Sequence, residues 1–233
     1  MQPEYHTTKR WLKRRDFLML AIGVAISLLV IIAIIGIYRA MQTPLEPQTA
    51  KVSSPWIPQT VKRWDSLISE MAERYKIDPT AIAILMTMES GGNPKAESGA
   101  GAKGLMQVVP TTAKEIAKKY IKDPVEKYNL YDPRTNIEFG TAYLAFLRDE
   151  FGERDQAPTW NYTMELVAAA YNGGPGTAGE FYNGKGMIST ETVVYSRDAL
   201  NMWRERNTKT SPTFDRWKER GGTVLLKAAE LAR

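Results

Sequence analysis

The chain has 233 residues, with 31 lysines and arginines against 26 aspartates and glutamates, a net charge of +5. The excess is local: Lys9, Arg10, Lys13, Arg14 and Arg15 face only Glu4 and Asp16 near the N-terminus, Arg39 adds one more, and the rest is close to neutral. That distribution argues against a nucleic-acid-binding face. The absence of cysteine excludes a disulfide framework, a thiolate metal site, a cysteine nucleophile and a lipid-modified N-terminal cysteine. With His6 the only histidine, no metal site and no cofactor is expected.

Residues 1–16 form a basic segment, and 17–38 follow as an uncharged apolar run long enough to span a bilayer. The positive flank places the N-terminus in the cytoplasm and the remainder outside, with 17–38 as a signal anchor. A cleaved signal is the alternative reading; Arg14-Arg15 is similar to a twin-arginine export motif, but no small-residue cleavage site follows. Residues 39–60, with Pro44, Pro47, Pro55 and Pro58, read as a tether.

The domain is expected over 61–207. Trp64, Leu67, Ile68 and Met71 predict an amphipathic helix over 61–75. Asp78-Pro79 is a helix start and Gly91-Gly92 a stop, with Ile82, Leu85, Met86 and Glu89 on one face between them. A dense run of small and turn residues to Gln107 predicts a shaped loop. Pro110 opens a helix to about 120, a loop covers 123–134, and 136–151 is a strong helix. A polar stretch over 152–162 precedes a short helix over 164–171, stopped at Asn172-Gly173-Gly174. A loop leads to Thr190, a helix runs over 191–207, and the tail over 208–233 ends in a helix expected to pack on the domain. No stretch alternates with period two, so the fold class is all-α.

Glu89 is the candidate catalytic acid. It ends an apolar stripe at the negative end of a helix, and burial and the helix dipole both disfavour its charge. A general acid working near neutral pH needs that upward shift.

From Glu89 the chain reads E-S-G-G-N-P, then S-G-A-G-A-K-G-L-M-Q from Ser98 to Gln107, then P-T-T-A from Pro110. This run resembles the catalytic motif of the soluble-type lytic transglycosylases, lysozyme-like enzymes that cleave peptidoglycan. Asn136, Ile137, Gly140, Tyr143 and Leu144 resemble a second family segment; Ala169 to Gly174 resembles a third; Glu191, Thr192 and Tyr195 resemble a fourth. The resemblance implies a lysozyme-like helical domain in which Glu89 protonates the bond between N-acetylmuramic acid and N-acetylglucosamine. Glu89 then takes the proton of the sugar's own 6-hydroxyl, and a 1,6-anhydro ring closes without water. The attack is intramolecular and gains from proximity.

The matching positions suggest roles. Ser98 resembles the serine that bonds the N-acetyl group, or is a turn-capping serine. Gln107 could hold a sugar hydroxyl or Glu89, or pin the loop. Tyr171 and Asn172 end a helix near the expected cleft, and Tyr171 could hold Glu89 or line the sugar site. Tyr195 is a further cleft residue, with Glu191 and Thr192 placed to cap its helix. Gly140 is expected to permit close helix approach. Glu97 and Glu191 are the candidates for a second carboxylate, which an ordinary glycosidase needs. Two other readings stay open: a lysozyme-type hydrolase using water, and a glycan-binding scaffold of a secretion or conjugation apparatus. The expected partners are peptidoglycan strands, the membrane through 17–38, and an envelope-spanning complex, with no nucleic acid.

Overall fold

Asp78 caps the helix that organises the domain: its carboxylate accepts from the Thr80 N–H at 2.7 Å, with Pro79 in the first turn. The computed structural model describes residues 19, 22, 26–32, 51–122, 124–151, 160–183 and 188–232. By contacts the chain divides into Met1–Gln48 and Thr49–Arg233. In the first unit, residues 26–32 are helical and exposed. The anchor expected over 17–38 otherwise lies outside the described residues, among which no helix is long and apolar enough to cross a membrane.

In the second unit the order is α1 Gln59–Lys62, α2 Asp65–Tyr75, α3 Pro79–Ser90, α4 Pro110–Ile116, α5 Pro133–Phe151, α6 Trp160–Gly173, α7 Pro175–Asn183, α8 Thr190–Arg204, α9 Pro212–Trp217 and α10 Thr223–Leu231. One π-turn, Ala117–Ile121, extends α4, and another, Lys218–Gly222, joins α9 to α10. The described residues contain no strand, only isolated antiparallel bridges pairing Lys103 with Glu97 and with Val108. The all-α expectation is met.

The centre of the core is α3. Every residue from Pro79 to Ser90 except Glu89 is buried, so the helix is buried all round rather than along the single expected stripe. A helix of that kind needs neighbours on every side. These are α2, α8, α1 and α10. Beside it, α6 packs along α8 and α5.

Several expected boundaries move. The helix expected over 61–75 breaks at Trp64, whose backbone leaves the helical region and whose indole N–H donates to the Gly92 carbonyl at 3.2 Å. The tether expected over 39–60 ends earlier. Val52, Ser54, Trp56 and Ile57 are buried, Ser54 Oγ donates to the Arg206 carbonyl at 2.7 Å, and the Trp56 indole donates to the Glu205 carbonyl at 3.0 Å. The loop expected before Thr190 contains α7, which Pro175 starts immediately after α6. The polar stretch over 152–159 lies outside the described residues.

The tail packs on the domain through α9 and α10. Phe214 and Trp217 enter the core, with Phe214 against Trp56 at 5.7 Å between ring centroids.

Candidate active site

Glu89 occupies the last turn of α3, and the chain leaves that turn through two glycines. Gly91 has φ +62° and its N–H reaches back to the Thr87 carbonyl at 3.0 Å. Gly92 has φ +87°, and a Cβ there would lie 2.3 Å from the Thr60 carbonyl oxygen. Glycine is required for both the turn and the approach of α1. Between them and the acid, Ser90 donates to the Leu105 carbonyl at 2.6 Å and accepts from the Gly92 N–H at 3.1 Å. The end of α3 is thereby tied to the loop that follows.

Burial is the largest influence on the Glu89 carboxyl and pushes its pKa up to about 7. Tyr195 opposes this by donating its O–H to Glu89 Oε1 at 2.5 Å, which favours the charged form. The Glu191 carboxylate raises it further. The residue keeps some accessible surface. Near neutrality both protonation states are available, as a group that first gives and then takes a proton needs.

Tyr195 stands on α8, which Ser189 caps by accepting from the Thr192 N–H at 3.0 Å. The capping expected of Glu191 and Thr192 thus belongs to Ser189. Thr192 instead donates its hydroxyl to Asn172 Oδ1 at 2.7 Å, joining the start of α8 to the end of α6.

Tyr171 does not hold Glu89. Its hydroxyl donates to the Met106 carbonyl at 2.8 Å, and its ring packs on Tyr143 at 5.2 Å. Burial, and after it the charge of Glu89, hold the pKa values of Tyr171 and Tyr195 well above the tyrosine range. Both hydroxyls therefore remain donors. Of Glu89, Ser98, Gln107, Tyr171, Asn172 and Tyr195, the structure brings Glu89 and Tyr195 into direct contact, with Tyr171 close enough to feel the charge.

Ser98 and Gln107 shape the loop. Ser98 Oγ accepts from the Ala102 N–H at 3.0 Å, the turn-capping alternative, and keeps its own hydrogen for donation. Gln107 sits at φ +47° and donates through Nε2 to the carbonyls of Ala96 at 3.2 Å and Gly104 at 3.0 Å. It pins the loop, and its amide oxygen faces no such duty. Glu97 is exposed and accepts from the Tyr131 hydroxyl at 2.6 Å. A recess of about 280 Å³ beside this loop is lined by Lys103, Pro110, Tyr128, Asn129, Leu130 and Tyr131, without Glu89.

Asn136, which the sequence marks only as part of a matching segment, is the loop's main support. Its Oδ1 accepts from the Met106 N–H at 2.7 Å, and its Nδ2 donates to the Lys103 and Leu130 carbonyls, each at 2.7 Å. Gly140 lies beneath the same loop: a Cβ there would meet Met106 Sδ at 2.5 Å, so it admits a side chain rather than another helix. Asn136→Ala leaves the buried Met106 N–H and Leu130 carbonyl without this partner, at about 1–3 kcal/mol for each group left unsatisfied, while the Lys103 carbonyl keeps the Val108 N–H at 3.0 Å. It is expected to lower the melting temperature by many degrees. A calorimetric scan showing unchanged melting would disprove this assignment.

Among the described residues no group of histidine, cysteine, aspartate and glutamate could hold a metal ion. The site is an acid with a raised pKa, a tyrosine donor to it, and a loop fixed by backbone bonds.

A family model described as the transglycosylase SLT domain matches residues 66–191, more than half of the chain, and the chain belongs to that family. It is similar to the membrane-bound lytic murein transglycosylase C of Actinobacillus pleuropneumoniae serotype 5b, with 46% identity over 113 residues, covering 47% of this chain and 30% of that protein. It is also similar to the membrane-bound lytic murein transglycosylase E of Buchnera aphidicola, with 36% identity over 121 residues, covering 50% of this chain and 53% of that protein. The chain thus spans between 30% and about half of the length of these relatives. Among solved structures, it is similar to the 70 kDa soluble lytic transglycosylase of Escherichia coli, with a TM-score of 0.42 and 28% identity, covering 68% of this chain and 26% of that one.

Proposed function

We propose that the chain is a peptidoglycan lytic transglycosylase in which Glu89 acts first as acid and then as base. The observation that carries this reading is the Glu89 carboxyl, with its pKa near 7 at the end of a buried helix and Tyr195 bonded to one oxygen. A protonated Glu89 gives its proton to the glycosidic oxygen between N-acetylmuramic acid and N-acetylglucosamine. The muramoyl N-acetyl group stabilises the developing positive charge. The carboxylate, accepting from Tyr195, then removes the proton of the 6-hydroxyl, which closes the 1,6-anhydro ring. Confining that hydroxyl beside the anomeric carbon supplies the proximity that a bimolecular attack by water would lack.

With Glu97 engaged by Tyr131 and Glu191 exposed at the start of α8, Glu89 is the one of these three carboxylates with the required environment. A route needing one protein acid fits better than the two-carboxylate routes. Ser98, with its spare hydrogen, and Gln107, with its amide oxygen, are the candidates to meet the N-acetyl group and a sugar hydroxyl. Tyr171 and Asn172 wall the site.

The enzyme is held at the inner membrane by 17–38, N-terminus in the cytoplasm, and works on the wall outside. The charge flank of 17–38 and the membrane-bound relatives support this placement.

The test is to incubate the full chain, in detergent, with purified peptidoglycan and to weigh the released muropeptides. Products lighter by one water, with no reducing muramic end, are expected. Ordinary reducing ends would make it a hydrolase, and no release by a folded, glycan-binding chain would make it a scaffold.

A further inference from the structure

Glu89 and Tyr195 meet only if the end of α3 and the middle of α8 keep a fixed separation. Both helices are gripped by chain outside the matched 66–191 span. On the α8 side, Arg220 of the π-turn forms an ion pair with Asp198, one helical turn after Tyr195. Asp198 is buried and Arg220 partly exposed. On the α3 side, α10 lies across the glycine turn that follows Glu89. A Cβ on Gly91 would lie 3.0 Å from the Leu225 carbonyl carbon, which is direct contact with backbone. Arg63 Nη2 fastens the two together, donating to the Gly92 carbonyl at 2.7 Å and to the Ala229 carbonyl at 3.3 Å.

The span between the two grips is short and stiffened. Only four residues separate Arg220 from Leu225. Gly222 sits against the Trp217 ring, where a Cβ would meet a ring carbon at 2.3 Å, and Trp217 is itself in the core. The start of α9 is fixed by Glu205, which accepts from Ser211 Oγ, from the Thr213 N–H at 3.1 Å and from Thr213 Oγ1 at 2.8 Å.

We propose that the tail, residues 212–231, is a strap that positions Glu89 against Tyr195, with Arg220, Asp198 and Arg63 as its positioning residues. The proposal rests on Glu89 being the proton donor of the reaction. A strap of this kind acts on the length of one hydrogen bond. Slackening α8 weakens the Tyr195 donation, which is what restrains the rise in the Glu89 pKa. The pH at which Glu89 loses its proton therefore moves up when the strap is loosened.

The experiment measures kcat, KM and the alkaline limb of the pH–rate profile on soluble glycan strands. It uses the full chain with Arg220→Met, Arg220→Lys, Arg63→Met and Glu89→Gln alongside wild type. The expected result is a roughly tenfold lower kcat for Arg220→Met, with little change in KM and an upward displacement of the limb. Arg220→Lys, which keeps the charge, restores both. A folded Arg220→Met whose limb stays at the wild-type pH overturns the strap, and so does a rate loss that Arg220→Lys fails to recover. If Arg220→Met does not fold, Arg63→Met is read by the same two criteria from the other grip. An inactive wild type, or an active Glu89→Gln, instead removes the reading beneath it, and the strap with it.

Discussion

Glu89→Gln lowers muropeptide release on the order of 10²–10⁴-fold, the range that loss of a general acid–base group produces. Glutamine keeps the size of the side chain and can still accept from the Tyr195 hydroxyl through its amide oxygen. The fold should therefore persist, which circular dichroism checks. What the amide cannot do is deliver a proton to a leaving oxygen or take one from a hydroxyl. A variant that releases muropeptides at the wild-type rate would exclude Glu89 from the acid role.

The same substitution has a thermodynamic signature of definite sign. A glutamate held up to about 7 in the folded chain, against an ordinary 4.5, binds its proton more tightly folded than unfolded. That contribution to stability is fully present below the unfolded value and is lost as pH rises through about 7. The loss amounts to up to about 3 kcal/mol at 1.36 kcal/mol per pKa unit. Glu89→Gln has no such titration. Wild type should therefore fall in stability relative to the variant between these two pH values, as denaturant curves taken across the range can measure. Parallel curves would mean that burial of the carboxyl is not felt.

Tyr195→Phe removes the donor and leaves the ring. A hydrogen bond to a charged group contributes about 1.5–3 kcal/mol. The carboxylate form of Glu89 loses that support, so the proton-donating step, which creates the carboxylate, slows by roughly tenfold to a hundredfold. Burial and the charge of Glu191, both raising influences, are left unopposed. The alkaline limb moves upward, because Glu89 keeps its proton to higher pH. Slower turnover with the limb displaced downward would mean that water reaches the carboxyl once the hydroxyl is gone. An unaltered profile would mean the bond has no part in the reaction.

The ends of α3 were legible because caps and stops are local chemistry: Asp78-Pro79 and Gly91-Gly92 act within a few residues of themselves. The acid's position at that end was legible for the same reason. The burial around it was underestimated. Thr80, Thr87 and Ser90 interrupt the apolar pattern, yet all are buried, and Thr87 satisfies its hydroxyl on the Ala83 carbonyl at 2.7 Å. Polar residues that can bond their own helix do not need water, so the pattern undercounts the buried face.

Which tyrosine reaches Glu89 was not legible. Tyr171 and Tyr195 both follow recognisable segments. Only the packing of α6 against α8 sends the first hydroxyl to Met106 and the second to the acid. Gln107 shows the same limit. A side chain with both donor and acceptor serves equally well for a sugar or for two nearby carbonyls, and only the left-handed backbone at that residue turns it to the loop. Asn136 was hidden for a further reason: its three bonds all run to backbone groups, which carry no sequence signal.

The bond from Tyr195 to Glu89 joins residues 106 positions apart. A contact of that separation bears a large loop-closure cost and forms after the local helices. While the chain is being made, Glu89 emerges long before α8 exists to cover it. Until α8 docks, its carboxyl faces water and holds an ordinary acidity, ionised at neutral pH. Competence to donate a proton thus arrives with the last third of the chain, so an unfinished or clipped copy carries the motif without the acid.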